Sequence, residues 1–196
     1  MANQPNSEKE SLAWEFAKEL HKDQVRKFIN KPYFDAHVQK VNGTAKQYTT
    51  DEDLLCAALL HDTIEDCFKD KWEGYSVIKE KFGKRVADLV LELTSDEGEM
   101  KHRYGGSKKD YLIYKMIHMS DDALIIKLCD RLQNISDAFT ASEKFRNNYF
   151  NETSAIVDAI ESERNLNDIH KKILADIKAK LDNISSLFKI KRFGEI

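Results

Sequence analysis

Between His61 and Asp66 the sequence HDTIED sets an imidazole and three carboxylates within six residues, directly after the apolar run from Leu54 to Leu60. An imidazole beside a carboxylate at the end of an apolar helix is a candidate metal site, because ionisable groups placed there are costly unless paired or ligated. At helical i,i+4 spacing His61 stacks over Glu65 and Asp62 over Asp66. The second acidic pair then stands one turn on, where a water or a substrate is met. The same four residues also describe the solvated end of a helix, and the dipeptide alone decides nothing.

Other positions widen the choice. His37 falls in a short helix predicted from Phe34 to Val41, and Asp130 interrupts the apolar pattern of Ile125, Leu128, Leu132 and Ile135, with Asn134 one turn on. Asp130 serves equally well as a salt-bridge partner for Arg131 or Arg26. Taken together, His37, His61, Asp62 and Asp130 form a mixed nitrogen and oxygen set that suits Mn²⁺, Fe²⁺ or Zn²⁺ better than Ca²⁺. Upstream, QVRKFINKPY gathers Arg26, Lys27 and Lys31 in a loop that Pro32 keeps from being helical. The cluster reads as solvated charge or as a phosphate grip, in which Arg26 offers a planar face to a base. His21 reads as a core-edge histidine as readily as a ligand, and His102, His118 and His170 have no acidic partner at ligand spacing.

These residues need a helical frame. Ser7 with Glu10 forms a capping box, and a first helix is predicted from Glu8 to Gln24. The central helix is predicted to start at a cap of Thr50 with Asp53 and to run unbroken through Asp66. Gly43 is read as the stop of the helix that carries His37. Amphipathic helices follow around Tyr75 to Phe82 and Val86 to Leu93, and Thr94 to Ser107 is read as a polar loop. Ser107 and Ser120 then cap two further helices, the second bearing Asp130. Phe145 to Ile160 and Leu166 to Leu187 supply two long packing helices before a basic tail, KIKRF.

The composition agrees with this frame. The 196 residues contain 7 Gly and 2 Pro, too few for an all-β chain, so the expected class is all-α. With 41% hydrophobic residues and no linker or repeat, the chain reads as one domain over residues 1–196, its C-terminal packing helices near 142–189. A net charge of -3 gives no general push towards nucleic acid or anionic membrane, and no apolar run is long enough for a span. Cys56, Cys67 and Cys129, odd in number and without CxxC spacing, point to a reduced, cytoplasmic protein. Oligomeric state stays open.

The pattern H…HD…D resembles that of the HD-domain metal-dependent phosphohydrolases. Beyond it, HKDQVRK from His21, KPY from Lys31, AALLHDTIED from Ala57, FGKRVADLV from Phe82 and IKLCDRLQN from Ile126 resemble, in order and spacing, the hydrolase domain of RelA/SpoT-type enzymes over residues 14–137. FRNNYF, from Phe145, is similar to a stretch of the stand-alone small alarmone hydrolases. The resemblance implies an all-α HD fold with a metal site between core helices, and removal of pyrophosphate from the 3′ position of a guanosine alarmone. It implies that His37, His61, Asp62 and Asp130 hold one Mn²⁺, and that Glu65 and Asp66 position and activate water. Arg26 would lie against the purine, Lys27 near phosphate and Asn134 on the nucleotide, with Arg146 and Tyr149 at the pocket. Local charge alone suggests that Lys101, Arg103, Lys108 and Lys109 grip the remaining phosphates.

Three departures from the family pattern stand out. The usual PYxxHP is PYFDAHV here, with one extra residue before His37 and no following Pro. Asp23 and Asn30 replace glycines. Asp137 stands where the long enzymes carry Thr and the small hydrolases often carry Asp. Two other functions share most of these residues: an HD phosphohydrolase of another nucleotide, such as an adenosine alarmone, NADPH or a nucleoside phosphate, and an inactive nucleotide-binding module.

Overall fold

A computed structural model describes residues 4–193, with side chains described through residue 184. The basic tail KIKRF falls among side chains outside that description. The chain begins with α1 (Glu8–Leu20), capped by the Ser7 hydroxyl, which accepts from the Glu10 amide. The helix stops at Leu20, short of the Gln24 expected, with His21 as its C-cap. Two short strands, β1 (Val25–Arg26) and β2 (Lys31–Pro32), then pair antiparallel, so the basic loop is a small hairpin. Phe28 and Asn30 turn it with φ of 69° and 52°, a region that L-residues seldom enter.

A wide π turn (Phe34–Val38) leads without a break into α2 (Gln39–Ala45). Gly43 lies inside α2 instead of ending it, because the helix continues to Ala45. Then comes α3 (Glu52–Leu60), in which Leu54 to Leu60 are all buried. Its cap is Asp51, not Thr50, since the Asp51 carboxylate accepts from the amides of Asp53 and Leu54 at 2.9 and 3.1 Å.

The helix predicted to run through Asp66 breaks at His61 and Asp62. The Thr63 hydroxyl donates to the Leu60 carbonyl at 2.7 Å, and Asp62, at φ -102° and ψ -3°, starts the separate α4 (Thr63–Cys67). A hydroxyl that takes up a backbone acceptor offers the chain an alternative to the next helical turn. Two helices, α5 (Lys71–Phe82) and α6 (Lys84–Leu93), meet at Gly83, whose φ of 88° suits glycine.

The stretch read as a polar loop contains α7 (Glu97–Tyr104), which buries none of its residues. It is held by its ends instead: the Asp96 carboxylate accepts from Glu99, acids fill the first turn and bases the last, and Gly105 closes it at φ 58°. After it come α8 (Lys108–His118), α9 (Asp121–Ala138), α10 (Glu143–Glu163) and α11 (Asp168–Phe193). The caps read from Ser107 and Ser120 are present, each hydroxyl accepting from the amide three residues on.

The core is organised on two buried helices. α3 packs against α1, α2, α6 and α9, and α9 packs in turn against α2, α10 and α11. One continuous apolar cluster runs from Ala13 and Ala17 through α3 and α9 to Ile173 and Ile177. The architecture is all-α apart from the hairpin, and among the described residues no helix is long and apolar enough to cross a membrane.

Candidate active site

The break after Leu60 is what builds the site. His61 caps α3 with its ring folded back, so that Nδ1 lies 2.8 Å from the Ala58 carbonyl and Nε2 faces outward. There Nε2 meets Asp62 Oδ2 at 2.9 Å and His37 Nε2 at 3.3 Å, and His37 Nε2 lies 3.6 Å from Asp62 Oδ2. Asp130, from the middle of α9, adjoins this trio through His37, with Oδ1 3.3 Å from Nε2. His37, His61 and Asp62 form the tight group, and Asp130 stands at its edge.

His37 owes its place to the π turn. A π turn carries one residue more than an α turn. Such a turn can take up one residue more than the pattern PYxxHP has, and His37 Nε2 lies 3.3 Å from His61 Nε2 at the end of α3. Phe34 anchors the turn edge-on against Trp14, with ring centres 5.0 Å apart.

The donor set fits a divalent ion. Ligand edges of 2.9 to 3.6 Å are those between atoms about 2.0–2.2 Å from one shared ion. His37 Nδ1 is buried without a hydrogen-bond partner, so the ring is held by packing with Nε2 as its working atom. Burial works against charge on Asp62 and Asp130, yet His61 beside the first and Lys127 beside the second hold both carboxyls well below the usual carboxylate range. Burial lowers His37. It would lower His61 too, but the Asp62 carboxylate outweighs it and pushes that imidazole up to about 9.

A proton on His61 therefore occupies the position an ion would take. Below about 9 the two compete, so metal affinity is expected to fall as pH falls, by about tenfold per unit for one displaced proton. Calorimetric titration in buffers of different ionisation enthalpy should show close to one proton released per ion bound. A pH-independent affinity would remove His61 from the ligand set.

Two side chains that steady the centre lie in motifs read from the sequence, KPY and IKLCDRLQN, but were given no role there. The Tyr33 hydroxyl donates to Asp62 Oδ2 at 2.6 Å, fixing that carboxylate from the hairpin side. Lys127, one turn before Asp130, sits 3.4 Å from its Oδ2 and remains charged in spite of burial. Asn134 Nδ2 donates to Asp130 Oδ1 at 2.6 Å. Asp130 thus pairs with Lys127 and Asn134, while Arg131 goes to Glu152 and Arg26 to Asp137.

Glu65 and Asp66 project from α4 beside the centre. Glu65 Oε2 accepts from the Ser95 amide at 2.8 Å, which fixes one carboxylate oxygen and leaves the other open. Asp66 is solvent-exposed at its edge yet partly desolvated, which with the charges of Asp62 and Glu65 pushes its carboxyl up to about 6 and makes it a stronger base than an ordinary aspartate.

Asp66 and Tyr33 also line a cavity of about 700 Å³, large enough for a nucleotide. Arg26, Lys27, Asn134 and Tyr149 line it as well. The Arg26 guanidinium is gripped on two sides: Nε donates to Asp137 Oδ2 at 2.8 Å and Nη2 donates to Asn134 Oδ1. Its plane is thereby set before any ligand arrives. Phe28 and Phe145, with ring centres 4.9 Å apart, add an exposed aromatic edge at the mouth.

Arg146 does not line the cavity; it is buried, with Nη1 3.4 Å from the Ala141 carbonyl. Of the basic residues read as phosphate grips, Lys108 reaches the cavity, whereas Arg103 pairs with Glu99 along α7 at 2.9 Å. His21 is buried and hydrogen-bonded to Gln24, and His170 to the Asp121 carbonyl, while His118 stacks on Tyr114.

Comparison with known proteins identifies the family. Residues 13–160 match the HD domain family. The guanosine-3′,5′-bis(diphosphate) 3′-pyrophosphohydrolase of Aquifex aeolicus is 33% identical over 151 residues, 77% of this chain and 21% of that protein. The chain spans only 18% of a Mycoplasma pneumoniae relative with the same name, marked probable. The Drosophila melanogaster protein MESH1, which bears that name too, is 30% identical over 177 residues, 87% of this chain and 89% of its own. A solved structure of a metazoan ortholog of SpoT that hydrolyses ppGpp and plays a role in starvation responses superposes with a TM-score of 0.71 at 26% identity, covering 98% of this chain and 99% of the other. An HD domain implies a divalent metal, which the His37, His61 and Asp62 group is built to take. By sequence, by fold and by the side chains gathered at the end of α3, the chain belongs to the HD-domain family, among the homologues of the MESH1 and SpoT-like hydrolases.

Proposed function

We propose that the chain is a Mn²⁺-dependent hydrolase of guanosine-3′,5′-bis(diphosphate), releasing the 3′-diphosphate as pyrophosphate and leaving GDP, or GTP from the pentaphosphate. The observation that carries this reading is the lining of the 700 Å³ cavity, which brings Arg26, Lys27 and Asn134 together with Asp66 and with Tyr33, the residue whose hydroxyl holds the Asp62 carboxylate. Such a space has room for a purine against Arg26 with a phosphate on the ribose turned towards Asp66.

His37, His61, Asp62 and Asp130 would hold the ion, and two imidazoles with two carboxylates suit manganese among the available metals. When bound, the ion supplies Lewis-acid neutralisation of phosphate charge and a water made acidic near neutral pH. Glu65, its Oε2 tied to the Ser95 amide, orients the attacking water, and Asp66 takes the proton. Arg26 stacks on the base, Asn134 hydrogen-bonds the nucleotide, Tyr149 walls the pocket, and Lys27 and Lys108 meet phosphates. Arg146 supports the pocket from within α10. The free cysteines support a reducing, cytoplasmic location.

The test is direct. Purified protein with Mn²⁺ should convert guanosine-3′,5′-bis(diphosphate) to GDP and pyrophosphate, and a chelator should stop it. Folded, manganese-loaded protein that releases no pyrophosphate would overturn the reading, and faster turnover of the adenosine counterpart would change the substrate.

Arg26→Ala is expected to raise KM by about tenfold, the worth of one cation–π contact, with metal content unchanged. Part of that loss comes from Asp137, left without its guanidinium partner. Kinetics beside metal analysis decide this; an unchanged KM would place the base elsewhere.

A further inference from the structure

The Ser95 amide that holds Glu65 belongs to a short elbow, Thr94 to Asp96, between α6 and α7. The elbow forms one wall of a second cavity, about 330 Å³, also lined by Trp72 and Tyr114, and Lys71 pairs with its Asp96 at 3.1 Å. Its backbone is gripped by Lys115. From α8 the ammonium donates to the Leu93 carbonyl at 3.3 Å and to the Thr94 carbonyl, and it lies 3.5 Å from the Tyr111 hydroxyl. That hydroxyl accepts from the Asp96 amide at 2.8 Å. The residues on either side of Ser95 are thus tied to α8, and the Ser95 N–H is turned to Glu65. A largely buried ammonium is costly unless its donors are satisfied, and carbonyls at the end of α6 satisfy them here.

We propose that Lys115 is a positioning residue for turnover: with Tyr111 it fixes the 94–96 elbow so that the Ser95 amide sets the Glu65 carboxylate. The proposal rests on the reading of Glu65 as part of the catalytic pair. Lys115 itself lies outside both the metal group and the lining of the 700 Å³ cavity.

The experiment compares Lys115→Met, Tyr111→Phe and Glu65→Ala, and each of the first two combined with the third. The readouts are kcat and KM for pyrophosphate release from guanosine-3′,5′-bis(diphosphate), bound manganese, and hydrogen exchange of the Ser95 amide. Lys115→Met should lower kcat by about tenfold, the coupling expected of residues that share one network, with KM and metal within about twofold. Its Ser95 amide should exchange about tenfold faster as the elbow loosens. Combined with Glu65→Ala it should cost nothing further.

A folded Lys115→Met with wild-type kcat and exchange, while Glu65→Ala is slow, would overturn the proposal and leave the role of Glu65 standing. A second independent loss in the double variant would overturn it as well. Wild-type turnover by Glu65→Ala would instead remove the reading beneath it. If Lys115→Met does not fold, Tyr111→Phe carries the same comparisons, because it frees the Asp96 amide and leaves the ammonium in place.

Discussion

Asp62→Ala is expected to give a folded protein that binds no stoichiometric manganese and releases no pyrophosphate above the chelated control. Asp62 Oδ2 lies within 3.6 Å of both imidazole nitrogens and accepts from Tyr33, so its removal takes away the charge on which the centre is built. Three donors would remain, with Asp130 displaced to one edge. Losing the metal removes the whole of its contribution, so activity should drop by about 10⁴-fold or more. The fold should survive. With no ion bound, Asp62 favours a proton on His61, and without that carboxylate the imidazole can shed it instead of remaining a trapped cation. The stability loss should then fall short of the roughly 3–5 kcal/mol for a buried pair that cannot neutralise. Metal analysis of the purified variant, with a thermal melt, decides the matter. Full manganese occupancy would refute the ligand assignment.

Glu65→Gln should separate chemistry from binding. The amide oxygen can still accept from Ser95, so the side chain keeps its place and loses only its charge and basicity. Metal content should match the wild type and KM should change little, while kcat falls by about 10²–10⁴-fold, the range for a general base or water-orienting group. The two variants thus fail differently: Asp62→Ala loses the ion, whereas Glu65→Gln keeps it and stalls. Wild-type kcat in Glu65→Gln would show that the Glu65 charge is not needed to orient the water, leaving Asp66 as the one catalytic carboxylate.

Much of the frame could be read from residue types. Seven apolar residues without Gly, Pro or a β-branched side chain announce α3, and Ser7, Ser107 and Ser120 announce the helices they cap. The break at His61 could not be read that way, because it depends on a Thr63 hydroxyl bond in a stretch with no helix breaker. α7 escaped because it has no apolar face; its stability lies in caps and charge order, which a search for periodicity does not see. At the site, imidazoles and carboxylates declare themselves by type. The partners that place them do not. Asp137 reaches Arg26 across 111 residues, Lys127 resembles any helical lysine, and the donor to Glu65 is a backbone amide that no side chain advertises.

The wide turn at Phe34–Val38 has a consequence for how such chains change length. An added residue in a regular helix rotates everything after it by about 100°, which would swing His37 away from α3. A π turn can take up such an addition within one loop of backbone, and here it leads directly into α2. Gain or loss of a single codon near Asp35 or Ala36 can therefore be neutral.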